Sequence, residues 1–209
     1  MIKKSPLRLL IATRNPGKLK EFKQFLSGLP LQLLSLRDFP GFTETEEPYQ
    51  TFAENARHKA ISALRATGLI SLGDDSGLEV DALKGAPGIF SARFAGQGAG
   101  DEKNNQKLLE LLKDTPAEKR TARFVCVLAL ALSESEVRLV EGEARGLILF
   151  EPRGEKGFGY DPVFYDPRLD QTFAELEAEE KLKVSHRGDA LGKLRPMVEE
   201  LARTRTGTG

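Results

Sequence analysis

The sequence predicts an α/β fold, a mixed β-sheet with flanking helices that is bent or split into two lobes. Three observations carry this. The first half alternates short apolar strands with amphipathic helices, the pattern of strand-helix units. Two long β-rich runs, 121–132 and 137–150, then meet at Ser133-Glu134-Ser135-Glu136 as a hairpin. No linker, repeat or low-complexity tract interrupts the 209 residues, so 1–209 is read as one domain with 204–209 as a disordered tail.

Composition narrows the function before any motif is considered. Lys plus Arg equals Asp plus Glu at 31 each, so no net field favours nucleic acid or an anionic membrane. The longest apolar run, around Phe124 to Leu132, is too short to span a bilayer. Met1-Ile2-Lys3-Lys4-Ser5-Pro6 lacks a signal-peptide core, and a cytoplasmic protein is expected. Cys126, the single cysteine, lies in an apolar strand and reads as structural. With only His58 and His186, a histidine-rich metal site is excluded.

Leu7 to Ala12 reads as the first strand, and it enters Thr13-Arg14-Asn15-Pro16-Gly17-Lys18. Asn15 suits an N-cap, Pro16 the first helical position, and Gly28 the stop of a helix carrying Leu19, Phe22 and Leu26. Such a loop aims free N–H groups at one point, an anion site suited to phosphate, although it lacks P-loop spacing and the same residues also describe a plain strand-helix connection. Leu31 to Leu36 forms the second strand and precedes an acidic loop with Glu44, Glu46 and Glu47. Thr51 and Glu54 have capping-box spacing ahead of a helix with Phe52, Ala56, Ala60, Ala63 and Leu64 on one face, closed by Gly68.

That helix delivers the chain to Asp74 and Asp75. Leu69, Ile70 and Leu72 read as a short buried strand, Ser76-Gly77 as a turn, and Leu78 and Val80 as the next strand. Two carboxylates at a strand end repel unless a cation neutralises them, and a hard ion such as Mg²⁺ takes one or two carboxylates. The same residues also describe an ordinary polar turn. Ser91, Arg93 and Phe94 lie in a glycine-bracketed loop, and Asp101 is read as the cap of a helix with Leu108, Leu109, Leu111 and Leu112.

After the hairpin, Gly157-Phe158-Gly159-Tyr160-Asp161-Pro162 loses all periodicity. It reads either as a glycine-rich turn with its aromatics packed inward or as a loop holding a ring open for a flat ligand. Lys181, His186 and Arg187 are donors near the start of a last helix that carries Leu191, Leu194, Val198 and Leu201, with Pro196 expected to kink or restart it.

Taken together, these stretches resemble the inosine triphosphate pyrophosphatases, which clear deaminated purine nucleotides. The resemblance rests on Ala12 to Lys18, Thr51 to Ala56, Asp74 to Leu78, Gly88 to Phe94, Gly157 to Pro162 and Ser185-His186-Arg187, in order over nearly the whole chain. It implies an elongated fold with two lobes around a nucleotide cleft, a homodimer, and Mg²⁺-dependent hydrolysis of ITP, dITP or XTP to the monophosphate and pyrophosphate.

Carried over by position, Thr13, Arg14, Asn15, Pro16, Gly17 and Lys18 would hold the triphosphate. Asp75 would be proton acceptor and metal ligand, Glu46 the second ligand, and Ser76 a nucleotide contact. Phe158, Gly159, Tyr160, Asp161, Lys181, His186 and Arg187 would form the base and sugar end, with Phe158 or Tyr160 stacking on the ring. Two alternatives remain at this point: a pyrophosphatase of the septum-inhibitor type acting on modified pyrimidine nucleotides, and a nucleotide-binding module without turnover.

Overall fold

A computed structural model describes residues 6–42 and 48–206. The first strand, β1 (Leu7–Ile11), is followed by helix α1 (Pro16–Phe25) and strand β2 (Leu31–Ser35). The chain returns through α2 (Phe52–Thr67) to β3 (Ile70–Val80). Helix α3 (Asp101–Leu111) precedes the hairpin strands β4 (Thr121–Ala131) and β5 (Val137–Ile148). Short strands β6 (Phe164–Asp166) and β7 (Gln171–Thr172) come next, then α4 (Ala178–Val184) and α5 (His186–Thr206). The strands form one mixed sheet in the order β2-β1-β3-β4-β5-β6-β7. Strand β1 runs parallel to both β2 and β3, whereas β5, β6 and β7 pair antiparallel. The expected α/β class with a mixed sheet is the one observed.

Two compact units divide the chain. The first holds residues 1–75, 127–142 and 190–209; the second holds 76–126 and 143–189. In the first, Leu10, Ala12, Leu36 and Ala63 pack with Leu34, Phe39, Phe42 and Leu69. The core of the second is more aromatic. Phe124, Phe164 and Phe173 pack against one another within it at centroid distances of 4.6 to 5.9 Å, beside Leu78, Val80, Leu108 and Leu112.

Several expectations are corrected. Ser76-Gly77 is no turn: β3 runs unbroken for 11 residues, so Asp74 and Asp75 lie inside a strand. Turn-forming residue types yield here to the sheet, since β3 lies between β1 and β4 while the apolar pattern resumes at Leu78 and Val80. Helix α1 ends at Phe25, before Gly28. Asp101 is not a cap, because Gly100 occupies that position and the Asp101 carboxylate is used elsewhere. Helix α5 does not restart at Pro196, which lies within it, and it continues to Thr206. Glu44, Glu46 and Glu47 lie outside the described residues, so the expected metal ligand Glu46 has no place in this description.

Candidate active site

In the first unit the site is set by where β1 stops. Register pairs Leu9, Leu10 and Ile11 with Ile70, Ser71 and Leu72, and the Ala12 N–H reaches the Leu72 carbonyl. Beyond that point β1 has turned into the loop 13–18, while β3 carries on with Gly73, Asp74 and Asp75. The loop is built as its residue types predict. Asn15 Oδ1 accepts from the Lys18 N–H at 3.0 Å, Pro16 opens α1, and Thr13 Oγ1 accepts from the Asn15 N–H at 3.1 Å. Lys18 then extends its ammonium to the Asp74 carboxylate.

The second cation comes from α2. Lys59 Nζ donates to Asp75 Oδ1 at 2.8 Å and to the Asp74 carbonyl at 3.2 Å. Successive side chains of a strand project to opposite faces, so two adjacent carboxylates can each meet a different lysine. Asp74 and Asp75 are only 2% and 4% exposed. Burial of two carboxylates is tolerated because two ammonium groups compensate them. Gly73 makes the α2 contact possible, since a Cβ there would fall on the Ala56 carbonyl oxygen. The helix therefore lies against bare backbone, close enough for Lys59 to span the gap.

Lys59 was absent from the sequence expectation, yet a signal existed. It falls on the buried stripe of α2 with Phe52, Asn55, Ala56, Ala60 and Ala63, where a lysine needs a partner. Asn55 accepts from the Tyr49 N–H and donates to the Tyr49 carbonyl, and Arg14 Nη2 donates to the Phe42 carbonyl at 2.6 Å. These two contacts hold the residues on either side of segment 43–47. Among the described residues no group of three or more His, Cys, Asp or Glu side chains converges as a metal centre.

The second unit gathers the remaining expected residues. Lys181 Nζ donates to Asp161 Oδ2 at 2.6 Å, and both side chains are buried. The same carboxylate oxygen accepts the Phe158 N–H at 2.8 Å, folding the loop over it. Gly157, at φ +77°, is required there because any Cβ would strike that carboxylate. Phe158 is half-buried, with Lys181 Nζ 4.5 Å and Arg187 Cζ 5.8 Å from its ring centroid. Arg187 Nη2 also donates to Ser76 Oγ at 3.1 Å.

Ser185 places the last two donors. Its Oγ accepts from the Gly188 N–H at 3.1 Å, so it caps α5 and sets His186 and Arg187 in the first turn. His186 lies flat on Phe124, with centroids 4.5 Å apart and planes 12° off parallel. Tyr160 takes a different position from Phe158. Its ring is in the core and its hydroxyl donates to the Ser91 carbonyl at 2.9 Å. Burial, helped by the nearby Asp101 carboxylate, pushes the ionisation of that hydroxyl far above the ordinary phenol range. Of the two rings, Phe158 is thus the more accessible.

Comparisons with known proteins identify the family. A profile of the Ham1 family matches residues 9–197. The dITP/XTP pyrophosphatase of Desulforamulus reducens is 52% identical over 195 residues, which is 93% of this chain and 97% of that protein. The dITP/XTP pyrophosphatase of Bacillus subtilis is 49% identical over 191 residues, 91% and 96% of the two chains. A solved HAM1 protein from Coxiella burnetii shares 42% identity and superposes with a TM-score of 0.85, covering 93% of this chain and 99% of that one. A profile spanning most of the sequence, and relatives this similar over nearly their full length, establish that the chain belongs to the Ham1 family.

Proposed function

We propose that this protein hydrolyses deaminated purine nucleoside triphosphates, dITP, ITP and XTP, to the monophosphate and pyrophosphate. The observation that supports it most is the buried Asp74–Asp75 pair compensated by Lys18 and Lys59 beside the loop 13–18, in a chain about half identical to proteins named for this activity. Thr13 to Lys18 bind the triphosphate through backbone N–H groups and the Lys18 ammonium. Asp75 accepts a proton from the attacking water as the α–β phosphoanhydride opens and pyrophosphate leaves. Lys59 keeps the charge of that carboxylate compensated before substrate arrives.

Mg²⁺ fits this donor set, because the ion needs few protein carboxylates and completes its shell with phosphate oxygens and water. Asp75 and Glu46 would hold it. When bound it supplies positive charge against the triphosphate. Phe158 stacks on the base, Ser76 and Asp161 position the nucleoside, and Lys181, His186 and Arg187 present donors to a 6-oxo group. Gly159 and Tyr160 contribute by shaping the loop. A homodimer and a cytoplasmic location belong to the same reading, and among the described residues no helix is long and apolar enough to cross a membrane.

The test is turnover of a nucleotide panel with pyrophosphate and orthophosphate scored separately. Preferential release of pyrophosphate from dITP and XTP is expected. Preference for modified pyrimidine nucleotides, or binding with no product, would reject the proposal.

A further inference from the structure

Helix α3 grips the base loop at a single residue. Gly159, at φ +65°, donates its N–H to Asp101 Oδ2 at 2.6 Å and accepts at its carbonyl from Asn105 Nδ2 at 2.9 Å. Asp101 and Asn105 are four residues apart, so one face of α3 presents an acceptor and a donor one turn apart. Gly159 lies between Phe158 and Tyr160, and the Tyr160 ring is fixed by Ser91. The backbone on both sides of Gly159 is therefore held, the Phe158–Gly159 peptide by its N–H and the Gly159–Tyr160 peptide by its carbonyl.

The arrangement is not what helix stability alone would select. An acidic residue in the first turn already interacts well with the helix dipole from any rotamer, yet Asp101 reaches across to another segment. Asn105 is 7% exposed, and its Oδ1 is buried with no hydrogen-bond partner among the described residues. That oxygen cannot be satisfied by turning the amide over, because Nδ2 is the atom that the Gly159 carbonyl requires. A buried acceptor left in this way costs free energy, and residues that carry such a cost tend to serve a site.

We propose that Asp101 and Asn105 are positioning residues for base recognition: by clamping Gly159 they hold the Phe158 ring in the plane that receives the purine. The inference rests on the assignment of Phe158 to the base. Neither side chain acts on phosphate, so their loss acts on binding of the nucleobase and leaves the phosphate end as it was.

The experiment compares Asp101→Ala, Asp101→Asn, Asn105→Leu and Phe158→Leu. It reads KM and kcat for dITP, and the inhibition constant of tripolyphosphate, which has no base. Asp101→Ala and Asn105→Leu are expected to raise KM about tenfold, roughly one lost hydrogen bond to a charged or buried partner. kcat and tripolyphosphate inhibition stay within about twofold, well under the ~1.4 kcal/mol of a tenfold change. Asp101→Asn retains an oxygen acceptor and largely restores KM.

A parallel rise in KM and in the tripolyphosphate constant would mark a structural role and overturn the proposal. So would an unchanged KM in both clamp variants while Phe158→Leu raises it. No effect of Phe158→Leu would instead reject the base assignment itself. Asp101 is exposed, so its variants keep the test available if Asn105→Leu fails to fold.

Discussion

Lys59 Nζ stands 2.8 Å from Asp75 Oδ1, and the same ammonium donates to the Asp74 carbonyl. One cation from α2 therefore binds side chain and backbone of the carboxylate pair, fixing where the Asp75 oxygens point. Asp75→Asn keeps an oxygen for Lys59 and removes the base. kcat is expected to fall about 10²–10⁴-fold, the usual worth of a positioned proton acceptor, with the circular dichroism spectrum unchanged. A loss confined to KM would take Asp75 out of the chemistry.

Metal dependence is the second expectation. Activity vanishes in excess chelator, returns with Mg²⁺ and returns poorly with Ca²⁺, whose looser coordination holds phosphate oxygens less strictly. Full turnover in chelator would contradict it.

Selectivity is tested at Arg187, which is 1% exposed and shared between Ser76 and the Phe158 ring. Adenine offers an amino group where hypoxanthine and xanthine offer a carbonyl, so a buried donor would be stranded against it. Sites of this kind discriminate by roughly 10⁴-fold or more. Arg187→Ala should lower kcat/KM for ITP far more than for ATP. Equal losses on both would make Arg187 a phosphate or framework residue.

Much of this was legible in the sequence, and the gaps have physical causes. The cap at Asn15, the helix stop at Gly68 and the hairpin at 133–136 are local, and each was read correctly because the residue types alone decide them. Strand β3 was misread because Ser76 and Gly77 favour turns locally, while the ladder that overrides them comes from distant strands. Strands β6 and β7, of three and two residues, are too short to show periodicity. Lys59 and the Asp101–Asn105 clamp escaped because their partners are 16 and 54 or more positions away.

Acid stability offers a fourth measurement. Arg168 donates to the buried Asp166 carboxylate and holds its pKa below the ordinary 3.8. A carboxyl depressed on folding contributes stability that is full above its unfolded pKa and disappears as pH falls through the folded value. Asp166→Asn should thus melt below wild type at pH 7, with the gap closing below about pH 4, where the unfolded carboxyl begins to protonate. A gap independent of pH would assign the effect to packing.

Arg120 shows how the second unit anchors a charge on backbone carbonyls. Its guanidinium is buried and donates to the carbonyls of Leu112, Ile148 and Leu149 at 2.6 to 2.7 Å, with the Phe150 ring 4.2 Å away. Burial lowers its pKa from the usual value, and among the described residues no carboxylate pairs with it. Mobile ions screen the attraction between separated exposed charges, and they have little purchase on dipoles touching a cation that water does not reach. The end of β5 is therefore tied down by an interaction indifferent to ionic strength, in contrast to the exposed Arg65–Glu134 pair, which salt weakens.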